Sequence, residues 1–288
     1  MELAFRLVDV FTEVPFAGNQ LCVVPEIPKG LAPTVMQTLA REIGFSETTF
    51  VSSSDFAGYR MRIFTPDAEL PFAGHPTLGT AFTLASEGRV GSDILQTTAA
   101  GDVRVEVDVP AGSAVMHQLP PVFGRVFEDR DLAASAAGLT VEDLAKDLPV
   151  QPVGTGLVSL MVPIKDEATL RQAERSARAC ARLAGAAQTE TLYFFAVRGD
   201  GDVMARMFDP GLGIGEDPAT GSAVGPLGAY LASNALAGAA DGMRITVAQG
   251  EMVKRPSFLH VDVARDGDGW SVRVGGGVRM VGEGTFRV

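Results

Sequence analysis

Four residues in the chain stand where proton chemistry could be done. Glu47 lies in Phe45-Ser46-Glu47-Thr48-Thr49-Phe50, where period-two alternation puts Phe45, Glu47, Thr49 and Val51 on one face of a strand. A carboxylate on a mostly apolar face loses hydration, its pKa rises, and it becomes a competent general base. The plainer reading of Glu47 is a surface residue at a strand end. His75 follows Gly74 at the mouth of what reads as a helix, and imidazole titrates near neutrality; a histidine there also serves as a simple helix cap. Asp209 precedes Pro210, where a turn residue is the ordinary account. Ser222 opens another helical stretch, where an N-cap needs no further role. Gly18-Asn19 reads as a tight turn.

His75, Asp209 and Ser222 belong to an internal repeat. The first copy runs Arg62-Ile63-Phe64-Thr65-Pro66, then Glu69-Leu70-Pro71-Phe72-Ala73-Gly74-His75. The second runs Arg206-Met207-Phe208-Asp209-Pro210, then Glu216-Asp217-Pro218-Ala219-Thr220-Gly221-Ser222. Both read Arg-x-Phe-x-Pro, a spacer, then Glu-x-Pro-x-x-Gly and a polar residue. So many matched positions imply a duplicated fold, against the alternative of two unrelated strand-turn-helix units. Asp209 takes the place of Thr65, and Ser222 that of His75.

Each motif leads into a stretch with no polar face, Pro76 to Ala85 and Ala223 to Ala232. A helix apolar all round is a buried helix. With strands plentiful in each half, the simplest architecture is a curved sheet wrapped around one central helix, built twice. Each Gly-rich turn then sits at a helix N-terminus, where free N–H groups and the positive dipole end favour a carboxylate or an enolate oxygen. Two such ends facing each other would hold a small acid between two domains.

Other elements follow from periodicity. Phe5 to Phe11, Leu21 to Val24, Phe45 to Val51, Tyr59 to Phe64 and Val103 to Val109 read as strands. Thr34 and Gln37 form a capping-box pattern for a helix with Val35, Met36, Leu39, Ala40 and Ile43 on its apolar face and Gly44 as its left-handed cap. Near Pro120-Pro121 the texture changes, which places a domain boundary there. Beyond it, helices are predicted over Thr140 to Leu148 and Asp166 to Leu183. Strands resume at Leu192 to Val197, Val203 to Phe208, Met243 to Ala248, Leu259 to Val263 and Trp270 to Val274, and Gly275-Gly276-Gly277 leads into a last one. The predicted organisation is an N-terminal half, 1–118, joined by strand 278–288, and a C-terminal half, 119–277.

Composition excludes several classes. The chain of 288 residues has 24 Lys plus Arg against 35 Asp plus Glu, a net charge of −11. An acidic surface repels phosphate backbones and anionic lipid, against a nucleic-acid or membrane-surface partner. The two cysteines, Cys22 and Cys180, have neither disulfide nor zinc spacing and read as buried thiols. No metal and no organic cofactor is implied. Gly211-Leu212-Gly213-Ile214-Gly215 fails the dinucleotide spacing, and there is no P-loop or nucleophile elbow. His117 and His260 have no partner pattern. The N-terminus lacks signal-peptide regions and no apolar run reaches about 18 residues, so a cytoplasmic location is expected.

Taken together these residues resemble the PhzF-like phenazine-biosynthesis isomerase family. The matches are Val8-Asp9-Val10-Phe11 with Pro15 to Asn19, Ser46 to Phe50, Arg62 to Pro66, Glu69 to Thr77, Gly154-Thr155-Gly156, Arg206 to Pro210, Glu216 to Ala223, Gln249-Gly250 and Arg255-Pro256-Ser257. The resemblance implies an α+β fold similar to diaminopimelate epimerase: two pseudo-symmetric domains, each a β-barrel-like sheet around a central buried helix. It implies cofactor-free general acid–base isomerisation of a small carboxylate, with Glu47 removing a proton and His75, Asp209 and Ser222 completing the site. It also implies that the backbone at Gly74 to Pro76 and Gly221 to Ser222 holds the substrate carboxylate, with Asn19, Thr77 and Thr220 beside it, and that the protein is a homodimer. Epimerases and racemases of this fold commonly carry a cysteine pair at the two helix mouths. Here His75 and Ser222 stand there, which disfavours a two-thiol mechanism. An amino-acid epimerase, or a binding protein that kept the fold, are the alternative readings.

Overall fold

The computed structural model describes residues 1–199, 201–211, 215–234, 243–267 and 269–288. The chain divides into two compact units: Met1–His117 with Gly275–Val288, and Gln118–Val274.

In unit 1 the elements are β1 (Glu2–Val10), β2 (Asn19–Val24), α1 (Pro33–Ile43), β3 (Glu47–Asp55), β4 (Gly58–Phe64), β5 (Glu69–Leu70), α2 (Gly74–Ser86), β6 (Asp93–Thr98), β7 (Gly101–Asp108) and β8 (Ser113–His117). Strand β1 pairs antiparallel with β2, β2 parallel with β3, β3 antiparallel with β4, and β4 parallel with β6. The meander β6–β7–β8 is antiparallel. The C-terminal stretch pairs with both β8 and β1, which closes the ring into an eight-stranded barrel. Two parallel crossovers carry the two helices. The first, α1, packs outside on Leu3, Val24, Phe50 and Phe64. The second, α2, runs inside, is buried from Gly74 to Leu84, and packs on β1, β2, β3, β7 and β8. Gly79 permits this approach, because a Cβ there would come within 2.6 Å of Leu21 Cδ2 and 2.8 Å of Val10 Cγ2.

Unit 2 holds β9 (Val122–Phe123), α3 (Arg130–Ala136), β10 (Gln151–Gly154), β11 (Val158–Pro163), α4 (Glu167–Gln172), α5 (Ala177–Ala187), β12 (Thr191–Val197), β13 (Val203–Phe208), β14 (Glu216–Asp217), α6 (Gly221–Ser233), β15 (Met243–Gln249), β16 (Ser257–Asp266) and the first residues of β17 (Gly269–Arg287). Pairing directions repeat in the same order: β10–β11 antiparallel, β11–β12 parallel, β12–β13 antiparallel, β13–β15 parallel, β15–β16 antiparallel. Helices α3, α4 and α5 form the outer layer over Phe194 and Phe208, while α6 is buried from Gly221 to Ala232.

The duplication reaches individual side chains. Ile63↔Leu70 and Phe64↔Glu69 in unit 1 have the register of Met207↔Asp217 and Phe208↔Glu216 in unit 2. Arg62 binds Glu69 through Nε at 2.7 Å and Nη2 at 2.6 Å; Arg206 binds Glu216 likewise at 2.9 and 2.7 Å. Phe50 meets Phe64 edge-on at 5.6 Å, and Phe194 meets Phe208 at 5.0 Å. Helices α2 and α6 each have 13 residues.

Several predicted elements need correction. No capping box opens α1: Ala32 is its N-cap, Pro33 follows, and the Gln37 amide donates instead to Thr65 O and Pro66 O. Gly44 does end it, at φ 69°. The strand predicted from Phe45 begins at Glu47. No helix spans Thr140 to Leu148. Its capping box exists, between Thr140 and Asp143, but encloses one 3-10 turn, Val141–Asp143. The following backbone bonds elsewhere, Ala145 N–H to Pro163 O and Lys165 N–H to Asp143 O. The helix predicted over Asp166 to Leu183 is two, α4 and α5. Between them Glu174 and Ser176 donate their N–H groups to Ala137 and Ala136, and Arg206 Nη1 takes the carbonyls of Leu170 and Ala173. Those partners replace the bonds a continuous helix would have made. Of the Gly-rich run 211–215, residues 212–214 lie outside the described residues.

Candidate functional site

In unit 1 the candidate residues gather at one end of the barrel. Asn19 opens β2 and Glu47 opens β3, and the parallel register sets Leu21 opposite Glu47. Gly18 before Asn19 has φ +69° and lies against Val10 O, so the turn is closed to larger residues. Ser46 Oγ donates to Asn19 Oδ1 at 3.1 Å, tying the two strand starts. Helix α2 brings its N-terminus to the same place.

His75, the second residue of α2, is buried with its Nε2 3.3 Å from Glu47 Oε2 and 3.3 Å from Gln20 O. Glu47 itself is 7% exposed. Burial pushes the His75 imidazole down to about 3, with the Gln20 carbonyl opposing. The ring is therefore neutral at pH 7. The Gln20 carbonyl can only accept, which assigns the proton to Nε2 and leaves Nδ1 as an acceptor. The N-cap of α2 is Ala73, which has no side chain to cap the helix, so His75 is not a cap. Gly74 and His75 bring N–H groups to the helix start, whereas Pro76 has none to offer. The Thr77 hydroxyl donates to Ala73 O at 2.8 Å.

In unit 2, Asp209 follows β13 and is fully buried. Its Oδ1 accepts Gly211 N–H at 3.0 Å. The N-cap of α6 is Thr220, not Ser222, and Thr220 does not cap the helix with its own oxygen. Its hydroxyl donates to Asp217 Oδ2 at 2.6 Å and accepts from Gln249 Nε2 at 3.0 Å. Gln249 Oε1 accepts from Tyr193 Oη at 2.8 Å and from Thr220 N–H at 3.3 Å, and its Nε2 also donates to Asp217 O at 2.8 Å. That amide fills its hydrogen-bonding capacity and fixes the start of α6, leaving Gly221 and Ser222 to open the helix. Gln118 Nε2 donates to Gly221 O at 2.9 Å, and its Oε1 accepts from Thr155 Oγ1 at 2.6 Å.

Glu47, His75, Asn19, Gly74, Pro76 and Thr77 thus come together in unit 1, and Asp209, Thr220, Gly221 and Ser222 belong to unit 2. Periodicity singled out neither Asp9, buried and accepting Phe16 N–H at 2.6 Å, nor Asp217, Tyr193 and Gln249. For Asp9 a signal was present, since a charge inside the apolar run Leu7-Val8-Asp9-Val10-Phe11 must be paired when buried. His117 is surface-paired with Glu106 at 2.8 Å. Both thiols are buried, and Cys22 is pushed up to about 12 by desolvation.

Residues 8–284 match the model of the phenazine biosynthesis-like protein family, PhzC-PhzF. The chain is 34% identical over 277 residues to the uncharacterized isomerase YddE of Escherichia coli K12, covering 93% of each chain. It is 33% identical over 288 residues to the trans-2,3-dihydro-3-hydroxyanthranilate isomerase of Pseudomonas chlororaphis, covering 98% of each. A crystal structure of a Bacillus anthracis phenazine biosynthesis protein of the PhzF family superposes with a TM-score of 0.90 at 27% identity, over 100% of both chains.

Proposed function

On the premise that this chain is an isomerase belonging to the PhzC-PhzF family, we propose that it moves a proton on a small carboxylate without a cofactor, with Glu47 as the base. The observation that carries this reading is the buried contact of Glu47 with a neutral His75 at the mouth of α2. A carboxylate takes a proton from an activated carbon, and the neighbouring Nε2–H steadies its charge before transfer. The free N–H groups at Gly74 and His75, and at Gly221 and Ser222, suit the substrate carboxylate and the oxygen that gains charge as the proton leaves. Asp209 and Ser222 return or relay the proton, a role that rests on their places in the repeat. The buried thiols support the choice of a carboxylate over a cysteine pair, since thiolate is the reactive form.

The test is nuclear magnetic resonance in deuterium oxide with a panel of small carboxylic and amino acids, trans-2,3-dihydro-3-hydroxyanthranilate among them. Wild type is expected to incorporate deuterium into at least one compound, and Glu47→Gln to lose that activity by at least about 10³-fold. A Glu47→Gln variant that exchanges as fast as wild type would remove Glu47 from the mechanism.

A further inference from the structure

Asp209 stands where the backbone offers few handles. The next residue is Pro210, which has no N–H. The Asp209–Pro210 peptide therefore presents only its carbonyl oxygen to the rest of the protein. The same is true of Thr65–Pro66 in unit 1. There the outer helix supplies the clamp: Gln37 Nε2 of α1 donates to Thr65 O at 2.8 Å and to Pro66 O at 3.0 Å.

In unit 2 the clamp is a cation. Arg175 donates to Asp209 O from Nε at 3.0 Å and from Nη2 at 2.7 Å. A planar, permanently charged group thus takes both lone pairs of one oxygen, which fixes the peptide in plane as well as in place. Asp209 N–H donates to Gly215 O at 2.8 Å, so both backbone polar groups of this residue are held. Arg175 lies in the interruption between α4 and α5. The bonds from Glu174 to Ala137 and from Ser176 to Ala136 hold that irregular segment, and a continuous helix would have used those N–H groups internally.

We infer that Arg175 is a positioning residue of the isomerase, and that the break in the outer helix serves to present its guanidinium to the Asp209 carbonyl. The functional part of this inference rests on Asp209 taking part in proton transfer. A shift of about 1 Å in a reacting group can cost about 10²-fold in rate, and with no N–H on Pro210 the carbonyl clamp and the bond from Asp209 N–H to Gly215 O together set where the Asp209 side chain starts.

Two readouts test it on the full chain. The first is amide exchange at Asp209 and Gly211 in wild type, Arg175→Ala and Arg175→Lys, since the Gly211 N–H rests on Asp209 Oδ1. Arg175→Ala is expected to raise exchange at these two amides by about tenfold or more while α6 and β15 keep their rates. Millimolar guanidinium is expected to restore protection, and Arg175→Lys to restore part of it. Unchanged exchange at both amides overturns the inference, as does a uniform rise throughout unit 2, which would mark Arg175 as a general structural tie. The second readout is deuterium uptake in the screen above, where Arg175→Ala is expected to lower kcat about 10- to 100-fold with KM within about threefold. Amide changes with full turnover in Arg175→Ala overturn the catalytic part. Full turnover in Asp209→Asn instead overturns the reading of Asp209, and leaves the clamp itself standing on the amide data.

Discussion

His75 is held neutral by its surroundings, and that makes folding sensitive to acid. In the unfolded chain the imidazole protonates near 6.5, and in the fold only near 3. Between those values the unfolded chain binds the extra proton, so stability rises with pH there and is lost as pH falls from about 6.5 towards 3. Denaturant midpoints measured from pH 7 down to about 4 should therefore fall for wild type and fall less steeply for His75→Asn. Parallel curves for the two proteins would mean that the imidazole already carries its proton in the fold. The Glu47 carboxylate 3.3 Å from Nε2 is the group that could hold it there.

The two copies of the Arg–Glu pair make a comparison at the scale of the element. Arg206 and its partner Glu216 have side chains only 7% and 11% exposed, whereas Arg62 and Glu69 are 31% and 39% exposed. Arg206 also satisfies the carbonyls of Leu170 and Ala173 at the end of α4. Removing one partner of a buried pair leaves the other uncompensated, at a cost of about 3–5 kcal/mol, while exposed pairs contribute about 0–1 kcal/mol. Arg206→Met should accordingly destabilise unit 2 by about 3 kcal/mol or more in chemical denaturation, and Arg62→Met should cost unit 1 about 1 kcal/mol or less. Equal losses would show that burial does not separate the two copies. The strands and both buried helices were legible in the sequence because alternation and all-round apolarity report burial directly. The outer layer was not. The Ala-rich run from Asp166 has helical periodicity throughout, and its interruption comes from tertiary partners, Arg206, Ala136 and Ala137, that no local pattern announces. The capping box at Thr34 failed for a related reason: Pro33 began the helix and Gln37 was drawn to the Thr65 carbonyl. Glu47, His75, Asp209 and Ser222 could be picked out by type, by the repeat and by resemblance. Gln249 and Arg175 could not be picked out for their roles, because those lie in hydrogen bonds to residues 29 and 34 positions away.

At the scale of the whole molecule, unit 1 is completed from the far end of the chain. Residues 278–287 of β17 pair with β1 along its whole length, from Val10↔Val278 to Glu2↔Arg287. Gly277 O accepts the N–H groups of Phe11 at 2.7 Å and Thr12 at 3.1 Å, and Val288 N–H donates to Met1 O at 2.9 Å. Phe5 stacks on Phe286 at 4.3 Å, extending the apolar layer outside the barrel. Without residues 278–288 β1 becomes an edge and the ring around α2 is open beside it, while β8 keeps the part of β17 between Val272 and Gly277. An opened ring exposes unpaired backbone and lets water reach a helix that has no polar face. Truncation after Gly277 should therefore abolish amide protection in α2 and β1, while α6, β12 and β13 keep theirs. Hydrogen exchange read by mass spectrometry on the truncated and full chains decides this. Uniform loss would mean that the two units fold as one cooperative body, and retained protection in α2 would mean that the remaining seven strands suffice to enclose it. The expected pattern, α2 and β1 lost and unit 2 kept, would make the last strand a condition for the Glu47–His75 contact, because His75 sits on α2 and is held only while that helix is enclosed.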